Sequence, residues 1–315
     1  LPNIGDAGND GVDGVTNIGN SLTNQLTISG TIYKTGGATD YEAKSGNTIL
    51  LTGASPTITT GGADLSFSTG NIVLSTAGTT TFTTGSGSAG GITVAGTIDG
   101  TNGEAEALAL ESGSGAIQLQ GTIGGTNPVT TIAINSTNGS AGTIEIVGIG
   151  DSNTTGASST ATIGNTSTGT LTLDGTIYKT GGNQTYVAAT GQNIDITGAA
   201  TFTTTNDAVA FNTSGVDLAN DGTTTIDTGT GVGDVSFAGA LESDGGSNDL
   251  LVITSGAGDV TFTGAVGATN ALGGLDVNSS AGDGDITFSS TIGDSGNAGV
   301  VGTTAIGGTA TEDVN

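Results

Sequence analysis

Residues 233–262 read GDVSFAGALESDGGSNDLLVITSGAGDVTF, and this stretch decides the fold. DVSF at 234–237 returns as DVTF at 259–262 and as DITF at 285–288. In each copy apolar and polar residues alternate, the period of a strand with one face turned inward. Val235, Val260 and Ile286 stand 25 and 26 residues apart, and Ile92, Ile117 and Ile144 stand 25 and 27 apart. Further strand-like runs lie between them, among them LLVIT at 250–254 and LDVNS at 275–279. Gly, Asn, Asp and Ser gather at the breaks, where they permit positive φ or side-chain-capped turns. One such unit supplies only a few inward residues per strand and cannot bury them alone, whereas stacked units can. The pattern predicts an all-β parallel β-solenoid (β-helix) of ~25-residue coils, about a dozen of them.

A longer repeat encloses the short one. LTISGTIYKTGG at 26–37 matches LTLDGTIYKTGG at 171–182, so GTIYKTGG recurs 145 residues on, from 30 to 175. GAIQLQGTIGGTN at 115–127 likewise matches GDVTFTGAVGATN at 258–270. The element Ile-Gly-Asp occurs three times, at Ile4, Ile149 and Ile292. The chain therefore divides into a repeat unit at 1–148, a second at 149–291, and residues 292–315 as the start of a third unit or an inter-subunit junction. A tandem array of β-sandwich domains competes with this reading, but the ~25-residue sub-period persists inside each long unit, where a sandwich has none.

Composition narrows the function. The 315 residues include 60 Gly and no Cys, Met, Trp or His; three lysines face 29 acidic residues, for a formal net charge of −26. Without basic residues to neutralise phosphates, nucleic acid is excluded as a partner, and anionic membrane surfaces are disfavoured by the same charge. No apolar run approaches the ~20 residues of a membrane-spanning helix. The missing His and Cys remove the commonest general base and the best nucleophile, so the expectation is that the chain is not an enzyme. Residue 1 is Leu, which suggests a processed form or a segment of a longer product.

Strings such as GDVTFTGAVGATNALGGLDVNSS, residues 258–280, resemble the repeats of filamentous-haemagglutinin-like exoproteins and other giant bacterial surface β-solenoids. The resemblance covers most of 26–308. It implies a secreted, extended rod with a structural or adhesive role; on an adhesive reading the expected partners besides the chain itself are glycans or a host or neighbouring cell surface.

Three groups of residues invite functional readings. Asp6, Asn9, Asp10 and Asp13 in GDAGNDGVDGV are oxygen-rich, as calcium loops are, and the alternative is a solvated acidic turn. All four tyrosines, Tyr33, Tyr41, Tyr178 and Tyr186, fall in one repeated zone with Lys34 and Lys179. They read either as a lateral contact patch or as aromatic filler of a wide coil, because a Tyr-Lys dipeptide in a strand sends one residue in and the next out. Threonine runs, TTTFTTG at 79–85 and TTTIDTG at 223–229, raise ice binding, with plain β-propensity as the alternative, and the linear sequence scatters threonine over several faces; a ligand-binding solenoid, for ice or glycans, is the rival to the structural reading. N-glycosylation sequons begin at Asn135, Asn138, Asn153, Asn165, Asn183, Asn212 and Asn278. Finally, no amphipathic helix or charged cap covers either end of the solenoid, and the first and last residues share one repeat phase. The expected partner is the chain itself, joined head to tail.

Overall fold

The structure, a computed structural model, describes residues 1–315 except 86, 88, 102–104, 138–141, 247, 279–282 and 309–312. Among the described residues there is no helix; the chain is all β, with parallel strands stacked as solenoid coils, about 11 turns in all. It forms two compact units: residues 1–158 with 162–169, and residues 159–161 with 170–315.

Each unit has three strand-bearing faces. In the first unit, one face stacks Ile32–Thr35, Thr57–Thr60, Gly78–Thr83, Glu106–Glu111 and Thr131–Ile134. A second stacks Thr16–Gly19, Thr39–Glu42, Leu65–Thr69, Ile92–Val94, Ile117–Leu119 and Ile144–Ile146. The third runs from Gln25–Ile28 through Thr48–Leu51 and Asn71–Leu74 to Ile98–Asp99, then continues as single bridges through Ile123 to Ile149. In the second unit, one face runs from Ile177–Lys179 to Thr304–Ile306, another from Gln184–Val187 to Ile286–Phe288, and the third from Leu171–Leu173 to Leu241–Ser243. Every pairing named here is parallel, and the tandem-sandwich alternative is thereby set aside.

The register makes like sit on like. The Phe of the DVSF, DVTF and DITF motifs forms a column with Tyr186 and Phe211: the order is Tyr186, Phe211, Phe237, Phe262, Phe288, with centroids 5.3, 5.0, 5.2 and 4.7 Å apart. The rings lie within 17° of parallel. That spacing is the strand spacing of about 4.8 Å, so offset stacking comes with backbone pairing. Around this column the core is Ile, Val and Leu at almost zero exposure.

Corners decide where coils can pack. At the residue before each DVTF-type motif, successive backbones come so close that a Cβ on Gly258 would lie 2.3 Å from the Gly233 carbonyl oxygen, and one on Gly284 2.1 Å from that of Gly258. No side chain fits there. The aspartate that follows holds the corner together: Asp234 Oδ1 accepts the Asp259 amide at 2.9 Å, and Asp259 Oδ1 accepts the Asp285 amide at 3.0 Å. The Gly-Asp of the repeated motif is thus a corner device, with a bare backbone for contact and a carboxylate to bond the next coil.

Gly258→Ala is expected to destabilise the second unit by more than the roughly 1 kcal/mol that separates Gly from Ala in backbone entropy, and in the opposite direction. Gly14→Ala, where nothing lies within 4 Å, is expected to be near neutral. Paired thermal or denaturant melts measure both; equal effects at the two sites would show that the close approach is not limiting.

Candidate functional site

The structure places the four tyrosines inside. Tyr33 is 1% exposed, and Tyr41, Tyr178 and Tyr186 are fully buried. They are core residues, and the contact-patch reading is corrected for them. The alternation Tyr-in, Lys-out settles it, because the aromatic rings join the inward stacks: Tyr41 on Phe67, Tyr178 on Phe202 and Tyr186 on Phe211. Lys34 and Lys179 point outward from the same strands.

The two repeats treat the buried hydroxyls differently. In the second unit Gln184 is buried beside Tyr186, whose hydroxyl donates to Gln184 Oε1 at 2.9 Å, while Gln184 Nε2 donates to the carbonyls of Tyr178 and Thr203, both at 2.9 Å. In the first unit the equivalent position is Thr39, whose hydroxyl pairs with that of Thr35 at 2.6 Å. Tyr41 Oη is left buried without a hydrogen-bond partner among the described residues. Burial pushes both phenols above their ordinary range.

The calcium candidates sit in the first coil. Asp6 Oδ1 accepts the amides of Gly8 and Asn9 at 2.7 and 2.8 Å, and the Asn9 side-chain amide at 3.2 Å. These bonds, the Gly8 amide foremost, hold its carboxyl below the usual range. Asp10 pairs with Lys34 Nζ at 3.2 Å, and Asp13 is exposed. The same turn closes on Asp151, which accepts the amides of Asn153 and Thr154, and on Asp294, which accepts those of Gly296 and Asn297. Neither copy carries an Asp10 or Asp13 equivalent, so what recurs is an aspartate-capped turn. No cluster of three or more acidic, His or Cys side chains among the described residues is arranged to hold a metal ion.

Two outward surfaces were not legible as such in the sequence. The first is a threonine surface. Thr57 stacks on Thr81 and Thr59 on Thr83, with Lys34 in register below Thr59. The second unit repeats this as Thr201 on Thr225, with Lys179 below Thr203 and Asp227 above it. On this face of each unit, threonines that are 24 residues apart in the chain come into register. The second surface is an acidic row in the second unit, where Asp195, Asp217 and Glu242 stand in register on adjacent strands, half-buried. Burial, then the charges of Asp195 and Glu242, raise the Asp217 carboxyl above the ordinary range; burial does the same for Asp195.

Two sequon asparagines are internal. Asn135 and Asn278, at positive φ, donate to Ser112 and Ser255 Oγ and accept from those residues' amides. Their side-chain nitrogens are engaged in the core and are closed to glycan transfer in the folded chain. Asn138 lies outside the described residues.

Compared with protein-family models, curated proteins and solved structures, the chain has no significant match.

Two outcomes are expected. Tyr186→Phe should cost about 1–2 kcal/mol by stranding Gln184 Oε1, whereas Tyr41→Phe should be neutral or stabilising because it removes an unsatisfied hydroxyl. Denaturant melts of the pair check this, and equal losses would refute the asymmetry. For the acidic row, a carboxyl raised in the folded state binds its proton more readily folded than unfolded, so stability falls as pH rises through its folded value. Asp217→Asn should therefore raise the melting temperature near pH 7, with the gain disappearing near pH 4, where unfolded carboxyls also protonate. A pH-independent gain would point to packing instead.

Proposed function

We propose that this chain is a non-catalytic structural or adhesive β-solenoid of the cell exterior, assembled end to end into a filament. The observation that supports it is the register: successive coils pair in parallel with like on like, so one coil of the repeat docks on another with the same geometry again and again. A strand edge that no neighbouring coil covers invites pairing with another chain. Two surfaces of one repeat phase that meet head to tail give a heterologous, non-closing assembly. The extracellular setting draws on the chain's acidity, its richness in Thr, Gly and Asn, and the resemblance of its repeats to those of large bacterial exoproteins.

A second reading, ligand binding to ice or glycans, is favoured by the stacked threonines beside Lys34 and Lys179. On the first reading, sedimentation and electron microscopy of the purified chain should show concentration-dependent filaments. A monodisperse monomer at all concentrations would sink it. Thermal hysteresis, or retention on a polysaccharide panel that is lost on Thr59→Val and Thr83→Val, would move the function to the second reading.

A further inference from the structure

The two units bury a carboxylate at one repeat position and satisfy it differently. Positions 143 residues apart correspond here, as Ile98 and Leu241, Leu108 and Leu251, and Ser112 and Ser255 do, so Gly100 answers to Ser243 and Glu106 to Asp249. The backbones agree: the Gly100 amide bonds the Asn127 carbonyl at 3.0 Å, and the Ser243 amide bonds that of Asn270 at 3.2 Å. Glu106 and Asp249 are both fully buried.

Both oxygens of Asp249 are taken. Oδ1 accepts the amides of Asn220 and Asp221 at 3.1 and 2.9 Å, and Oδ2 accepts the Ser243 hydroxyl at 2.6 Å. In Glu106, Oε1 accepts the amide and the hydroxyl of Thr101, while Oε2 has no hydrogen-bond partner among the described residues. The position that supplies the missing donor in the second unit is Gly100 in the first. A Cβ built on Gly100 would stand 3.3 Å from Glu106 Oε2 and 2.5 Å from the carbonyl oxygen of Pro128. Where the second unit seats a serine, the first therefore turns two oxygen acceptors towards one place, a carboxylate from one coil and a backbone carbonyl from the next.

No basic side chain of the chain reaches that place. A solenoid residue touches its own coil and the coils beside it, and no Lys or Arg occurs between Lys44 and Lys179, each more than two coils from Glu106 along the chain. A buried charge is strongly unfavourable unless it is paired or binds a metal. A water molecule could donate to both oxygens but would leave the charge uncompensated.

We propose that this corner of the first unit binds a divalent cation, calcium in preference to magnesium, between Glu106 Oε2 and the Pro128 carbonyl oxygen. Both are hard oxygen ligands. Calcium accepts carboxylate, carbonyl and water together in irregular geometry, whereas magnesium demands a near-ideal octahedron and gives up its water reluctantly. A site of one carboxylate and backbone oxygen carries no cluster of acidic side chains to mark it. Thr101 and Pro128 are half-buried, which keeps the corner within reach of ions in solution. The ion ties the coil of Glu106 to the coil of Pro128 and gives Oε2 the partner that Ser243 gives Asp249.

Glu106→Gln tests this in the full chain. It keeps the shape and the acceptor for Thr101, and replaces Oε2 by an amide that can donate to the Pro128 carbonyl. Without calcium the variant should melt above the wild type. At fixed ionic strength, calcium at about 1 mM, the range of weak oxygen-ligand sites, should raise the wild-type melting temperature more than magnesium does. Calorimetric titration should count one calcium fewer in Glu106→Gln than in the wild type. Asp249→Asn is the control: it alters a carboxylate whose oxygens are already satisfied, so it should melt lower and keep the full calcium count. Equal calcium counts in the wild type and Glu106→Gln, equal shifts with the two ions, or the same loss from Asp249→Asn would overturn the site. Crystals of the wild type soaked in calcium give a reading that depends on no variant. An ion at about 2.3–2.6 Å from Glu106 Oε2 supports the proposal, and a water or no density there at saturating calcium overturns it.

Discussion

Parallel, in-register pairing between successive coils is the interaction on which the rest of this protein depends. A strand here is two to six residues long and turns only a few side chains inward. Alone it would leave both its apolar residues and its backbone polar groups in water. Stacked, it buries the first and satisfies the second on both edges. The same register forces each position to answer to its counterpart one coil away. Where that counterpart is Phe, the strand spacing is also a stacking distance, and Tyr186 to Phe288 becomes one continuous column. Where it is a carboxylate, as from Asp195 through Asp217 to Glu242, the geometry that favours aromatic repetition holds like charges together.

Corners carry the second constraint, and they recast the acidity of the chain. A formal charge of −26 suggests a search for cationic partners. Many of the carboxylates instead serve backbone amides of a neighbouring coil or of their own turn. Asp234 and Asp259 bond the next coil at the DVTF corner; Asp99 accepts Thr126 and Asn127, and Glu242, its counterpart, accepts Thr269 and Asn270. Asp249, fully buried, accepts the amides of Asn220 and Asp221 and the hydroxyl of Ser243. Short acceptors beside glycine let two backbones approach where no larger side chain fits. The composition rich in Gly, Asp and Asn is in this sense a property of corners.

Where the repeats differ, they differ most tellingly in their buried polar groups. Thr39 and Gln184 occupy one position, yet only the longer side chain reaches the tyrosine hydroxyl beside it. The two halves are one backbone plan with separately adjusted interiors.

The sequence by itself determined the period of two within strands, the ~25-residue coil, the long repeat and the phase shared by the first and last residues. These are properties of spacing along a line, and spacing along a line is what a solenoid is built from. Tertiary structure alone decided which member of each alternating pair faces inward, so the Tyr-Lys dipeptide left its tyrosine open to two readings until the aromatic column claimed it. It alone aligned the threonines, because corner length varies: Ile58 to Phe82 is 24 residues and Phe82 to Leu110 is 28, so equal outward positions do not recur at equal intervals. It also showed which backbone amides Asp6 accepts, since a carboxylate's partners are the groups that folding brings within reach, and those are set by φ and ψ rather than by the order of residues.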